Sequence, residues 1–501
     1  MKNIIIKLTL ALVCCVLITS CNKEFLETEP TNQVSADLAV ETTANGMILL
    51  NGLHRSMYHK FYTRIIFNGI GSQLIINDLA GDDFVDTGSN NTWTTVYQWT
   101  ASTSDTDLFS DFAWKFYYHL VANANILING IDGATGTQDE RDYIKGQALV
   151  YRAFAHYQLV QLFAERYNPE ADNKQLGVPY KLNTDDLLVP RETVENVYGL
   201  LNTDLDLAIK LLEGEGRLNK SHINQSVALG IKARVALTQG NWDVAITNAT
   251  MAHEGFALMN QSTYAQGFTS DSESNPEFMW ASQIIAGDQA IPFSDYGAWV
   301  SRNFNGNAVR GNPRAITKVL YDKIADSDVR KTLWDPTGLH PDVDLTDNHT
   351  RHPYTNQKFL VEDIADSRID IPLMRAAEMY LIIAEANARK GGADALAAQA
   401  LFDFASTRDL EYSLSTNTGQ ALIDEIMVQR RVELWGEGFR FYDLKRLNQD
   451  LVREVGLADT GTHQASFIGN VSFVPAGDKR WVFLIPKSEI DANPLVEQNP
   501  L

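Results

Sequence analysis

Apolar residues recur at every third or fourth position along several long segments of the chain. This spacing places them on one face of a helix, so it predicts amphipathic helices over Phe112–Ile131, Ile144–Glu165 and Arg191–Leu212. In the second of these segments, the apolar stripe consists of Ala148, Tyr151, Ala155, Leu159 and Leu162.

Two further segments each read as a pair of helices separated by glycine. Ser226–Ala252 is interrupted at Gly240-Asn241, and Ala376–Ser406 is interrupted at Gly391-Gly392. Both are rich in small residues at spacings of three or four, which let helices pack closely, as in tetratricopeptide hairpins. Antiparallel helices of a more general kind fit this periodicity equally well. The pattern therefore predicts a scaffold of helical hairpins.

Three other segments show little periodicity. Phe67–Asp111, Tyr264–Arg310 and Gly338–Ile371 are rich in Asn, Asp, Ser, Gly and aromatic residues. We expect long loops and short strands there. Loops longer than about 15 residues within a compact domain are usually functional or disordered, and the aromatic content favours function.

The N-terminus has the layout of a secretory signal peptide. Lys2 and Lys7 precede an apolar run from Leu8 to Ile18, which is shorter than the ~20 residues that a membrane-spanning helix needs. The run ends at Leu-Ile-Thr-Ser-Cys, which resembles a bacterial lipobox. We expect residues 1–20 to be a lipoprotein signal peptide and Cys21 to carry a diacylglycerol and an acyl chain as membrane anchor. An ordinary signal peptide with incidental cysteines is the alternative.

Amino-acid composition argues against several classes of site and partner. The three cysteines are Cys14, Cys15 and Cys21, so a chain processed at Cys21 has none left for disulfides or thiolate metal sites. The formal net charge of −21 repels phosphate backbones and anionic lipids, which argues against nucleic acid as a partner and leaves the lipid anchor as the only membrane contact. No linker-like stretch divides residues 21–501. We expect one intertwined body with halves of about 21–260 and 261–501.

The sequence offers no catalytic or metal-binding constellation. None of the 10 histidines belongs to a His-x-x-x-His pair, and there is no Gly-x-Ser-x-Gly elbow or phosphate loop. Asp82 and Asp83 are adjacent, so they cannot flank a glycosidic bond from two sides, and we expect them at the surface. Asp342–Asp347 lacks the Gly and the terminal Glu of a calcium loop. We therefore expect a non-enzymatic protein without a metal site.

Several motifs follow one another along the chain. They are NPEFMW (275–280), DSDVR (326–330), IPLMRAAEMYLIIAEANAR (371–389), QRRVELWGEGFRFYDLKR (429–446) and FLIPKSEIDANPLVEQNP (483–500). In this order, and together with CNKEFLETEP after the lipobox, they resemble the SusD/RagB family of outer-membrane nutrient-binding lipoproteins. The charged residues of the fourth motif have the spacing of a structural ion network: Arg430, Arg431, Glu433, Glu437, Arg440, Asp443 and Arg446.

The resemblance implies a mostly α SusD-like fold, in which four tetratricopeptide-like hairpins form the scaffold and a loop-rich side binds the ligand. It also implies a surface-exposed position on the outer membrane and a SusC-like TonB-dependent transporter as partner. Members of the family capture glycans, or in some cases peptides, without catalysis. The expected function is capture of oligosaccharide or polysaccharide and its delivery to the transporter.

Aromatic and amide residues in two loop-rich segments are the candidate ligand contacts. A pyranose stacks its apolar face on flat side chains, while polar side chains bind its hydroxyls. The candidates are Asn90, Asn91, Trp93, Tyr97 and Trp99 in the first segment, and Tyr296, Trp299, Arg302 and Phe304 in the second. The alternative for each ring is a place in the core, where tryptophan is usually found.

Three other functions remain open. A peptide-binding member of the same family would present strand edges and charges. A structural lid without ligand contact would have the Trp93 and Trp299 regions packed inside. A surface glycoside hydrolase would need two carboxylates facing each other across a cleft.

Overall fold

A computed structural model describes residues 39–62, 66–88, 92–287, 295–457 and 460–500. Cys21, the signal segment, Asn90 and Asn91 lie outside these ranges. The described helices are α1 (Thr43–Ser56), α2 (Gly69–Leu79), α3 (Thr94–Tyr97), α4 (Leu108–Gly130), α5 (Gln138–Phe163), α6 (Val194–Leu211), α7 (Gln225–Gln239), α8 (Trp242–Ala252), α9 (Gln261–Ala265), α10 (Gly297–Val300), α11 (Asn307–Gly311), α12 (Lys318–Tyr321), α13 (Ala376–Lys390), α14 (Asp394–Arg408), α15 (Gly419–Glu433), α16 (Arg440–Arg446) and α17 (Lys487–Ala492). The strands are β1 (Phe84–Asp86), β2 (Phe278–Ser282), β3 (Arg314–Ile316), β4 (Trp334–Asp335), β5 (Thr355–Asn356), β6 (Ile371–Arg375), β7 (Leu451–Val452), β8 (Val455–Gly456), β9 (His463–Gln464) and β10 (Phe473–Val474).

The long helices pack as a continuous series of neighbours. Helix α4 packs on α5, α5 on α6, α6 on α7 and α7 on α8, and the series continues through α8 on α13 to α14 and α15. The two glycine breaks lie where the sequence predicts them. Gly240 has φ 69° and ends α7, and Gly391 has φ 79° and follows α13, a backbone conformation that favours glycine. The predicted mostly α scaffold is confirmed.

Helix α5 begins at a capping box. The Thr137 hydroxyl accepts a hydrogen bond from the Glu140 amide at 3.2 Å, and the Glu140 carboxylate accepts one from the Thr137 amide at 2.9 Å. The same carboxylate accepts a hydrogen bond from the Thr43 hydroxyl at 2.8 Å, which fastens α1 to the start of α5. Local sequence therefore fixes both the start of the longest helix and the position of its neighbour.

The loop-rich segments build small antiparallel sheets, several short helices and a longer helix, α2, that the sequence pattern does not predict. Strands β1, β3, β5 and β4 pair in that order, and β2 pairs with β6. Helix α2 lies within the predicted loop segment Phe67–Asp111, and all of its residues are buried. A helix buried on every side has no polar face, so the 3.6-residue alternation that reveals surface helices is absent.

Buried ion pairs around β6 join parts of the chain that are distant in sequence. The Arg375 guanidinium contacts the carboxylates of Glu277, Glu433 and Glu437 at 2.5, 2.8 and 2.6 Å. The seven charged residues named above for the fourth motif all form salt bridges, so their interpretation as a structural network is confirmed. Asp82 and Asp83 take part through Arg440 and Arg431 at 2.6 and 2.5 Å, so the expectation that these carboxylates are surface residues is wrong.

One hydrophobic cluster contains side chains from Val40 to Val496. A second, smaller cluster lies between α13, α14 and α15. Among the described residues, no helix combines the length and apolar character needed to cross a bilayer.

Candidate ligand-binding face

The two predicted aromatic segments meet in space. The rings of Trp93, which precedes α3, and Trp299, in α10, lie edge to face with their centroids 5.7 Å apart. Trp93 also contacts Phe109 of α4 at 5.0 Å. The sequence analysis therefore selected two segments that form one region of the molecule.

The described candidate side chains are buried in this region. Their exposed fractions lie between 0% and 5% for Trp93, Tyr97, Trp99, Tyr296, Trp299, Arg302 and Phe304. A ring without an exposed face cannot stack on a sugar, so we correct the choice of these seven side chains as direct ligand contacts: in this structure they are core. Asn90 and Asn91 are outside the described residues, and their assignment stays a prediction.

Hydrogen bonds show what several of these buried side chains do. The Tyr296 hydroxyl donates to the Gly436 carbonyl at 2.6 Å, and the Trp99 indole donates to the Ala80 carbonyl at 3.1 Å. The Tyr97 hydroxyl shares a hydrogen bond with His463 Nδ1 at 2.6 Å. Arg302 donates to the Thr350 carbonyl at 2.8 Å, and burial lowers its pKa to about 10. These contacts fasten the loop-rich segments to distant parts of the chain.

An exposed ring continues the buried aromatic series to the surface. Tyr62 is 41% exposed, and its ring lies edge-on to Phe67, whose ring contacts Phe109. Its hydroxyl donates to Asp111 at 3.2 Å, and the ammonium of Lys115 lies 5.4 Å from its ring centroid. Tyr62 adopts a left-handed backbone with φ 57°. The sequence analysis missed this residue, because nothing in its local pattern distinguishes an exposed tyrosine from a buried one.

A charged pair lies near the region where the Trp93 and Trp299 segments meet. Burial lowers the pKa of Lys60 to about 8, and the carboxylate of Asp295 partly opposes this shift. Asp295, just before α10, accepts a hydrogen bond from the Ser367 hydroxyl at 3.1 Å. The half-buried ammonium of Lys60, in the turn before Tyr62, is thus attracted by the buried carboxylate of Asp295 in the segment that carries Trp299.

A second exposed group follows Trp299 in the chain. Arg310 donates to the side-chain oxygen of Asn305 at 3.1 Å and also to that of Asn307. Asn305 and Asn307 are exposed and Arg310 is half-buried. Because the guanidinium occupies the amide oxygens, the amide NH₂ groups are oriented as donors. We call Tyr62, Asn305, Asn307 and Arg310 the exposed group.

Tyr62 has a flat apolar ring, and Asn305 and Asn307 have oriented hydrogen-bonding groups, which are the two kinds of contact that a sugar needs. Within the described ranges, no three His, Cys, Asp or Glu side chains come together as a metal site would require.

Two family models match the chain. The family described as starch-binding and associating with the outer membrane matches residues 24–237, and the SusD family matches residues 276–501. A SusD-like protein from Formosa agariphila is 23% identical over 498 residues, covering 89% of each chain.

Solved structures show the same fold. A SusD-like carbohydrate-binding protein from Bacteroides vulgatus has a TM-score of 0.79 and 27% identity, covering 91% of this chain and 97% of that one. A surface glycan-binding protein from Bacteroides fluxus has a TM-score of 0.67 and 18% identity, covering 92% and 99%. The helical scaffold with its loop-rich side defines a SusD-type protein. The chain belongs to the SusD family, whose members are outer-membrane-associated binding proteins.

Proposed function

We propose that this protein is a surface-exposed outer-membrane lipoprotein that captures oligosaccharide or polysaccharide without cleaving it and delivers it to a SusC-like TonB-dependent transporter. The observation that carries the proposal is the family match along both halves of the chain, together with 27% identity to a carbohydrate-binding relative. The lipobox supports attachment through a diacylglycerol and an acyl chain on Cys21.

The proposed contact surface is the exposed group. Tyr62 stacks on a sugar ring, while Asn305 and Asn307, oriented by Arg310, bind hydroxyls. The buried Trp93–Trp299 pair acts indirectly, because it joins the start of α3 to the segment that continues to Asn305 and Asn307. Asn90 and Asn91 remain proposed contacts in the neighbouring segment.

An open surface with one stacking ring gives modest affinity. We expect Kd values from millimolar to micromolar, roughly −4 to −8 kcal/mol of binding free energy. Many copies on one cell surface binding one polysaccharide raise the effective affinity by avidity.

A binding screen tests the proposal. Protein lacking residues 1–21 is run through gels containing different polysaccharides and is titrated with peptides. Tyr62→Ala and Arg310→Ala are compared with the wild type and with Tyr321→Ala, a half-buried tyrosine outside the exposed group, as matched control. Circular dichroism confirms that each variant is folded.

We expect retention by at least one polysaccharide, lost in Tyr62→Ala and Arg310→Ala and kept in Tyr321→Ala. Retention unchanged in both test variants would place the glycan site elsewhere. Binding of a peptide without any glycan would establish the peptide-binding alternative, and binding of neither would favour the structural lid. Release of reducing sugar would contradict the absence of catalysis.

A further inference from the structure

A cavity of about 320 Å³ lies at the C-terminal end of α5. Its wall is formed by that helix end, the segment after α16, the turn around Gly477 and the last described residues of the chain. The volume is within the range of small-molecule sites. Exposed residues such as Glu165, Asn448 and Gln449 line it, so it is open to solvent. It shares no lining residue with the exposed group.

Two buried cations in the wall have only backbone oxygens as hydrogen-bond partners. The ammonium of Lys445 donates to the carbonyls of Gln161, Ala164 and Trp481 at 2.5, 2.8 and 2.7 Å. Arg191 donates to carbonyls that include those of Gly177 at 2.7 Å and Glu497 at 2.9 Å.

These hydrogen bonds explain in part why two cations are buried at the end of α5. Lys445 and Arg191 satisfy the carbonyls at the end of α5, where a helix attracts positive charge. Carbonyl dipoles do not cancel a full charge, however, and neither cation forms a salt bridge with a carboxylate in the part of the chain that the structure describes. Glu165, which also lines the cavity, is the acidic group whose field acts on Lys445, and the wall as a whole keeps an excess of basic side chains.

The rest of the wall is balanced in charge, with Arg166 and Lys479 against Glu165 and Asp478, so it does not reverse the sign set by Lys445 and Arg191. Four basic side chains line the cavity against two acidic ones. Asp478, one of the two acids, is bound by Arg480 at 2.9 Å. This positive surface occurs in a protein whose formal net charge is −21. Uncharged groups complete the wall: the amides of Gln175, Asn448 and Gln449, and apolar surface from Leu176, Leu444 and Trp481.

We propose that this cavity is a second binding site, which takes a small organic anion of sugar size carrying one carboxylate and several hydroxyl groups. The positive wall attracts the carboxylate, the amides bind hydroxyls and the apolar surface packs against C–H groups. A hexuronic acid has this chemistry. The site does not depend on the proposed function of the loop-rich side.

Calorimetric titration of the purified protein with glucuronate and with glucose tests the charge requirement, since the two sugars differ only at C6, which is a carboxylate in glucuronate and a hydroxymethyl group in glucose. We expect glucuronate to bind at least tenfold more tightly than glucose at low salt. Equal affinity for the two sugars, or no binding of glucuronate at tens of millimolar, would overturn the proposal.

Asn448→Asp tests the location. Asn448 lines the cavity and has φ 51°, and Asn470 does not line it and has φ 62°; both are exposed. Asn470→Asp therefore adds the same charge to the same backbone conformation elsewhere. We expect Asn448→Asp to weaken glucuronate binding at least fivefold and Asn470→Asp to change it less than twofold. Equal weakening by the two variants would contradict a site in this cavity.

Lys445 supplies a direct readout. Burial lowers its pKa to about 7, with Glu165 opposing the shift, so this lysine is distinguishable by NMR titration of labelled side chains. Saturating glucuronate should raise the pKa of Lys445, whereas glucose should leave it unchanged. An unchanged pKa with bound glucuronate would exclude this cavity. The polysaccharide screen with Tyr62→Ala is independent of these results, so failure of either proposal is recognised separately.

Discussion

Two groups of buried cations in this protein differ in what neutralises them. Around β6, Arg375 and Arg408 lie among the carboxylates of Glu277, Glu433 and Glu437. At the end of α5, Lys445 and Arg191 donate to backbone carbonyls. All four cations are almost fully buried. The comparison therefore separates the effect of burial from the effect of the partner.

The pKa values follow the partner. Burial opposes the charge of Arg408, but Glu277 and Glu433 raise its pKa above the usual range. Burial likewise disfavours ionised Glu433, but Arg408 and Arg375 hold its pKa well below the usual range. Without such partners, burial lowers the pKa of Lys445 to about 7 and that of Arg191 to about 10. Carbonyl dipoles satisfy the hydrogen bonds of a cation but do not replace a carboxylate.

Arg375→Met should have the largest effect on stability. The substitution keeps an unbranched side chain but leaves Glu277, Glu433 and Glu437 with fewer cations in the interior. We expect the free energy of unfolding to fall by roughly 3–5 kcal/mol, as when one partner of a buried ion pair is removed. Urea denaturation measures this change. Arg480→Met, at a partly exposed pair, is the control, and a loss for Arg375→Met no larger than the control would refute the interpretation.

Lys445→Met should change how stability depends on pH. The pKa of Lys445 is about 7 in the folded protein and 10.5 as the ordinary value, so the unfolded chain binds the extra proton between these limits. Its contribution to stability therefore rises as pH increases from about 7 to 10.5, by at most about 1.4 kcal/mol per pH unit. Below pH 7, Lys445 is protonated in the folded protein, and burial of its charge lowers the free energy of unfolding by the full amount.

The measurement compares wild type and Lys445→Met by urea denaturation at pH 6.5, 8 and 9. We expect the wild type to gain stability relative to the variant over this range. A constant difference would mean that Lys445 keeps its proton throughout. Lys487→Met, an exposed lysine on α17, is the control and should show no such trend.

Much of the helical scaffold follows from local sequence. The apolar stripe of α5, its capping box and the glycines after α7 and α13 are short-range signals, and the structure has all of them. Helix α2 was not predicted, because burial on every side removes the period that such reasoning uses.

The candidate site depended on information that local sequence does not contain. Trp93 and Trp299 were selected by residue type, but tertiary packing buries both rings. The exposed ring of this aromatic series is that of Tyr62. The cavity at α5 combines residues from Glu165 to Pro500, so no window of sequence shows it. Residue type selected two segments that meet in space, but the described side chains that it selected in them are core.

Thr137→Ala tests the opposite end of α5, where the cap is a neutral hydroxyl. Its loss leaves the Glu140 amide without its side-chain acceptor. We expect a decrease of about 1 kcal/mol in the free energy of unfolding, with no dependence on pH between 7 and 9 because the hydroxyl does not titrate. Thr137→Ser should keep most of the stability that Thr137→Ala loses, because serine retains the hydroxyl. A pH-dependent loss would implicate Glu140 instead.

Lys174→Gln extends the comparison to a pair in water and should have the smallest effect. Lys174 and Asp172 are 2.7 Å apart, a distance like those around Arg375, but their side chains are 80% and 77% exposed. Solvent hydrates each charge when the other is removed, so we expect no measurable change in the urea midpoint and no response to added salt. A loss of unfolding free energy close to that of Arg375→Met would show that the ion-pair distance matters more than burial. The difference in pKa between the cations around β6 and those at the end of α5 would then need another cause.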